Sequence, residues 1–191
     1  MCIRDRFWER ENITIQYVFC ELPTLGWVPW TVVAPSAILN RNGIRANGLY
    51  AARSFTNGRV VGHYPRTQTW QFDSRQDQNL IDFARQLVLS GSDKLITVRN
   101  YPSGVLLVDG SGGGNAEVQM VNDPKGTRLH ANATIGPTGI MKVVASSVPA
   151  FCLDKSLDEN IRSELRIDYG EDFWQLIDAA GTTPANAYIV T

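Results

Sequence analysis

The chain is poor in the residues that build covalent or metal frameworks. It has three cysteines (Cys2, Cys20, Cys152) and two histidines (His63, His130) in 191 residues. Three scattered cysteines exclude a disulfide framework and a structural zinc site. Two histidines exclude most His-rich metal centres and leave little room for a Ser-His-Asp triad. HExxH, CxxC and GxSxG are absent. No apolar run approaches the ~18 to 20 residues of a spanning helix, so no membrane partner is expected. Neither sign of charge dominates: 18 Lys and Arg face 19 Asp and Glu, for a formal charge of −1. That balance argues against a strongly basic nucleic-acid binder, and no direct nucleic-acid binding is expected, although a local patch is not excluded.

What is present suits a globular domain. Hydrophobic residues make up 43 % and charged residues 19 %, enough to bury a sizeable core. The expected compartment is intracellular, nuclear or cytoplasmic. Met1–Arg6 (MCIRDR) has no apolar stretch and no cleavage site, so it is no secretory signal. It resembles translated sequencing-adapter DNA and is expected to be non-native, so Cys2 receives no chemical role.

The pattern is one of short strands around one helix. Ile13–Cys20 alternates and is rich in β-branched and aromatic residues. Trp27–Val33 is similar, but Pro29 makes it an edge or interrupted strand. A polar turn is expected at Asn40–Gly48, then strands at Arg59–Tyr64 and Thr69–Phe72. Leu80, Phe83, Ala84, Leu87 and Val88 share one helical face. Ser74 or Asp77 is the expected N-cap of that helix, and Gly91 sits where a C-terminal cap belongs. Strands are expected at Lys94–Arg99, Gly104–Asp109, Ala116–Val121, His130–Ile135 and Gly139–Ser146. Gly110–Asn115 is Gly-rich but lacks the Lys-Ser/Thr of a phosphate loop. Phe151–Ser163 reads as a charged, helical excursion, Glu164–Tyr169 as a last strand, and Gln175–Ala180 as a short helical turn. Strands and helices do not alternate, which excludes a doubly wound sheet.

Three separated segments gain meaning together: Asn47–Tyr64 (NGLYAARSFTNGRVVGHY), Val121–Asn132 (VNDPKGTRLHAN) and Ser163–Trp174 (SELRIDYGEDFW). Their order resembles the SET-domain family of protein lysine methyltransferases. The first is similar to that family's "G-L-F-A-A-R … G-x-x-I-G-x-Y" opening. The second resembles its Asn-His region, and the third its "E-E-L-x-x-D-Y-G" strand and turn. The resemblance covers about Pro35 to Trp174. It implies a mainly β fold of several small curved sheets, with one inserted helix and a C-terminal segment threaded beneath a connecting loop. It divides the chain into an extension (1–34), a SET-like catalytic domain (35–174) and a tail without zinc-binding cysteines (175–191).

The resemblance also implies a function, S-adenosylmethionine-dependent lysine N-methylation of a protein or peptide, including histones. Asn47, Gly48 and Leu49 match the turn that approaches the cofactor. Asn122 matches the cofactor-contacting Asn, and Asp123 stands where His is common. Tyr169 matches the tyrosine beside the transferred methyl. Phe173 and Trp174 match the aromatic walls after it. A substrate peptide would add as a strand at a sheet edge. The chemistry needs no metal, because the sulfonium is already activated and in-line transfer to a neutral amine depends mainly on orientation. The sequence departs from the pattern at Ala46 (for Gly), at His63 (for Glu) and in a longer segment between Pro149 and Glu164. These departures leave a second reading open, a catalytically silent SET-like module that binds a peptide or partner.

Overall fold

The computed structural model describes residues 3–10, 13–22, 26–41, 46–66, 68–73, 78–92, 95–99, 104–111, 117–171 and 174. The fold is mainly β, built from several small antiparallel sheets. In chain order the elements are β1 (Ile3–Arg10), β2 (Ile13–Leu22), β3 (Gly26–Pro35), α1 (Ala37–Arg41), β4 (Asn47–Ala51), β5 (Phe55–Thr56), β6 (Val60–His63) and β7 (Gln68–Phe72). They continue with α2 (Gln78–Leu89), β8 (Leu95–Arg99), β9 (Val105–Asp109), a 3₁₀ turn (Glu117–Met120), β10 (Ala133–Ile135), β11 (Ile140–Val143) and β12 (Ser147–Val148). The sheets run β1-β2-β3-β4, β10-β11-β6, β12-β5 and β7-β9-β8. Among the described residues, no helix is long and apolar enough to cross a membrane.

Pro29 does not place β3 at an edge: the strand lies between β2 and β4. Its pairing is interrupted instead. Phe19 faces Pro29 and Val18 faces Thr31, with the register shifting between them. A bulge there accommodates a residue that lacks an N–H for the ladder. Ile3–Arg6, from the stretch expected to be non-native, lies in β1 and pairs with β2.

The helical stripe forms α2, with Leu80 and Ala84 fully buried. Gly91 ends it at φ 103°, and Ser92 N donates to Leu87 O at 3.0 Å. The left-handed conformation suits glycine, which has no Cβ to clash. The expected N-caps, Ser74 and Asp77, lie outside the described residues, as does the 175–180 turn. Trp70 and Phe72 of β7 pack edgewise or tilted on Phe83, at ring separations of 4.9 and 6.1 Å.

Several local expectations are corrected. The Asn40–Gly48 turn is in its described parts the end of α1 and the start of β4. Ser36 caps α1, its Oγ accepting from Leu39 N at 3.1 Å. Ala116–Val121 contains a 3₁₀ turn, not a strand. The three-residue repeat of that turn brings Val118 and Val121 to the same side, and both are buried in the core. Phe151–Ser163 forms turns rather than a helix, organised by Asn160. The Asn160 amide accepts from Cys152 N and donates to Cys152 O, both at 2.8 Å. Glu164–Tyr169 is extended but joins no regular sheet. It makes only isolated bridges, Tyr50↔Glu164 antiparallel and Asn122↔Arg166 parallel.

Candidate functional site

The extended segment after Ser163 brings the three motifs together. On one side it follows β4: Ala51 N donates to Ser163 O at 3.0 Å, and Leu165 N to Leu49 O at 2.7 Å. On the other side Ile167 N donates to Asn122 O at 3.0 Å, while Asn132 N and Ala133 N converge on Arg166 O at 3.0 and 2.9 Å. The Asn132 side chain substitutes for a strand partner. Its Nδ2 donates to Glu164 O at 2.9 Å, and its Oδ1 accepts from Arg166 N at 2.7 Å. The segment's buried backbone groups are thus shared among β4, Asn122 and Asn132, part of them met by a side chain, and no regular ladder forms.

Glu164 is the centre of this arrangement, at 0 % exposure. Oε2 accepts from Ala37 N (2.9 Å) and Ile38 N (3.2 Å) at the start of α1. Oε1 accepts from Ser36 Oγ (2.6 Å) and Asn122 Nδ2 (3.1 Å). Asn122 Nδ2 also donates to Asn47 O at 3.0 Å. One carboxylate thus joins α1, β4 and residue 122. Burial raises the Glu164 pKa, and the bonds from Ser36, Asn122, Ile38 and Ala37 oppose that rise. The Tyr50 hydroxyl donates to Pro35 O and accepts from Ala37 N. Burial first, and then the Glu164 charge, push its pKa far up, so it stays protonated.

Gly48 makes that packing possible. A Cβ there would collide with Glu164 Oε1 and lie 2.9 Å from Glu164 Cδ and 3.2 Å from Ser36 Cα. The close approach that this glycine allows is thus to the Glu164 carboxylate. Leu49 points its side chain into the core at 0 % exposure, and its carbonyl is taken by Leu165. Asn47 is exposed.

A second carboxylate holds the aromatic end. Asp123 Oδ2 accepts from Tyr169 N at 2.7 Å and from Trp174 Nε1 at 3.2 Å, and Oδ1 accepts from Lys125 N at 2.6 Å. Burial raises the Asp123 pKa against these three bonds. The Tyr169 hydroxyl donates to Val121 O at 2.7 Å. The Tyr169 ring stacks on Trp174 at 6.2 Å and 16°. Lys125 Nζ lies 4.8 Å over the Trp174 ring and 3.8 Å from Glu171. Phe173 lies outside the described residues.

A cavity of about 560 Å³ opens beside this end, between β8 and residues 131–137, and reaches Ile167 and Asp168. Its β8 wall is Ile96, Thr97 and Val98. Thr97 Oγ1 donates to Tyr169 O at 3.2 Å, so the cavity wall and the Tyr169 backbone are joined directly. Asn47, Gly48, Leu49, Asn122, Asp123 and Trp174 do not line it. Among the described residues, no group of three or more His, Cys, Asp or Glu side chains is arranged to hold a metal ion.

Sequence reasoning missed Glu164, Ser36, Asn132 and Arg166 as site builders. Read as an alternating strand, SELRIDY sends Glu164 and Arg166 to solvent, yet both are buried. The one local signal was Ser36, a capping residue directly before α1. No protein-family model matches the chain, and no curated protein matches it.

Proposed function

We propose that the chain is an S-adenosylmethionine-dependent protein lysine N-methyltransferase of SET-like fold. The observation that carries this reading is the meeting of three segments distant in sequence. Gly48 packs on Glu164, Glu164 bonds to Asn122, and Tyr169 bonds to Val121, the neighbour of Asn122. This meeting is what the resemblance expects of the three motifs, and it supports the reading.

The aromatic end suits a cationic methyl donor. The Trp174 ring, stacked on Tyr169, already holds a cation, Lys125, and the Tyr169 hydroxyl bonded to the Val121 carbonyl supplies oxygen dipoles at the same tyrosine. In this reading Tyr169 and Trp174 hold the sulfonium end, with Asn47 and Asn122 at the other. The cofactor supplies an activated methyl when bound. The chain's residues align the nucleophile and exclude water. A substrate strand adds to the β8 edge, and the apolar cavity wall favours the neutral lysine by desolvation.

One observation favours the second reading, a silent peptide-binding module. Asn122 spends its amide donors on Asn47 O and Glu164 within the protein.

Calorimetric titration with S-adenosylmethionine separates the two. Micromolar binding is expected, together with transfer of labelled methyl to a lysine-bearing protein. Tyr169→Phe should lower turnover at least about tenfold, a loss of about 1.4 kcal/mol of transition-state stabilisation, while the variant stays folded. A folded parent that binds no cofactor leaves the silent module. An equally active Tyr169→Phe removes Tyr169 from the mechanism.

A further inference from the structure

The acidic residues are distributed unevenly along the chain. Between Glu21 and Asp73 there is none, and between Asp123 and Asp154 there is none. The two acid-free stretches lie side by side. β5 pairs with β12, and β6 with β11. The stretches that pair there contribute Arg and Lys and no carboxylate, although the chain as a whole is slightly negative.

Four exposed cations mark it: Arg53, Arg59, Arg66 and Lys142. Lys142 points outward between buried Met141 and Val143, and faces exposed Val60 and Thr134 on the neighbouring strands. Arg59 lies 4.2 Å over the Trp30 ring and Arg53 6.0 Å from it, so the two guanidinium groups are within about 10 Å of each other. At the far end Arg66 lies against Gly139, where a Cβ would be 3.0 Å from Arg66 Cδ. Arg59 directly precedes β6 and Arg66 follows it, so the two cations bracket that strand. Among the described residues, none of the four has an ion-pair partner.

We propose that the face formed by β5, β6, β11 and β12 binds the phosphate backbone of duplex nucleic acid through Arg53, Arg59, Arg66 and Lys142. Arginine's planar fork suits phosphate oxygens. An acidic protein partner fits less well. Protein interfaces depend on apolar anchors, whereas the side chains around Arg53, Arg59 and Lys142 are mainly polar and exposed, with Val60 the exposed aliphatic neighbour of Lys142. Single strands fit less well too, because they need aromatic stacking platforms and Arg59 covers the ring of Trp30. A balanced total charge does not exclude this, since binding responds to the local field. The proposal does not depend on the methyltransferase reading.

The test is fluorescence anisotropy with a labelled short DNA duplex at several salt concentrations. The parent should bind, with log K falling against log salt at a slope of about −3 to −4, near −0.9 per phosphate contact. The combined variant Arg53→Gln, Arg59→Gln, Arg66→Gln, Lys142→Gln should bind at least about tenfold more weakly, with a flatter slope. Lys142→Gln alone, a surface change unable to unfold the chain, should reduce the slope by about one. Lys155→Gln with Arg162→Gln, exposed cations outside this face, should change affinity less than about twofold. Absence of binding at low salt, or an equal loss in the Lys155/Arg162 control, overturns the proposal. Tighter binding to polyglutamate or to single strands than to the duplex also overturns it.

Discussion

The lobe made by β7, α2, β8 and β9 and the segment Ser163–Ile167 are both largely buried, but the segment adds a polar network to its apolar contacts. In the lobe, Leu80, Ala84, Leu95, Val105 and Leu107 meet through apolar contact, with Phe83 edge-on to Trp70. The segment sets Leu165 and Ile167 in an apolar cluster but also buries polar atoms. Glu164 accepts four bonds, Asn132 bridges two backbone groups, and Arg166 donates to His130 O, Ile161 O and Glu164 O. Apolar burial is non-directional and tolerates some repacking. A buried polar network does not, because each lost partner leaves a desolvated group behind. The second region should therefore be the less forgiving.

The sharpest test of that difference is Glu164→Ala. It strands Ile38 N and one N–H of the Asn122 amide, takes the acceptor from Ser36 Oγ, leaves Ala37 N with Tyr50 alone, and opens a void beside Gly48. The expected loss is about 3 to 5 kcal/mol, enough to unfold a marginal domain. Urea denaturation measures it, and a loss below about 1 kcal/mol would mean that water replaces the carboxylate. Leu80→Ala, the matching deletion in the lobe, should cost about 2 to 4 kcal/mol, as a pure cavity effect without change in pH dependence. If Leu80→Ala proved the more damaging of the two, the contrast between the regions would fail.

The pH profile sharpens the comparison from another side. Burial raises the folded pKa of both Glu164 and Asp123 above the ordinary carboxylate value of about 4. Each holds its proton more tightly folded than unfolded. Their contribution to stability is full below the ordinary value and is lost as pH rises through the raised folded value. Unfolding free energy should therefore decline as pH rises from about 4, and Asp123→Asn should remove part of that decline. Glu159 is exposed and lowered by Ser156, so it acts below that window. A profile that rises over the same range would show the hydrogen bonds outweighing burial. The smallest effect belongs to the lobe's surface. Gly91→Ala forces a Cβ into φ 103° and should cost about 1 kcal/mol, read as a small drop in thermal midpoint.

These regions also differ in how much of them is legible before folding. Helix α2, its glycine cap and strands β6 to β9 follow from local pattern and turn chemistry: α2 buries one stripe, and β8 through Val98 and β9 are short, mainly apolar runs buried along their length. The 3₁₀ turn at Glu117–Met120 was misread because a two-residue and a three-residue repeat fit the same few apolar positions. α1 was missed because five residues carry too little pattern, and its start is stabilised from a distance by Glu164. At the candidate site, Gly48, Asn122, Asp123 and Tyr169 stood out only as members of ordered motifs. Glu164 and Asn132 lie in the same motifs, but their burial is not legible there, since an acidic or amide side chain in an alternating run reads as solvent-facing.

The class is legible in the residues alone: many short strands, one amphipathic helix, balanced charge and no cysteine or histidine framework. Those properties follow from neighbours within a few residues, where side-chain spacing fixes the local geometry. The burial of Glu164, the room that Gly48 leaves for it, and the pairing of the acid-free stretches come only with the folded chain. A carboxylate enters the interior only where donors from Ser36, Ala37, Ile38 and Asn122 await it, and those donors come together only when the chain has folded.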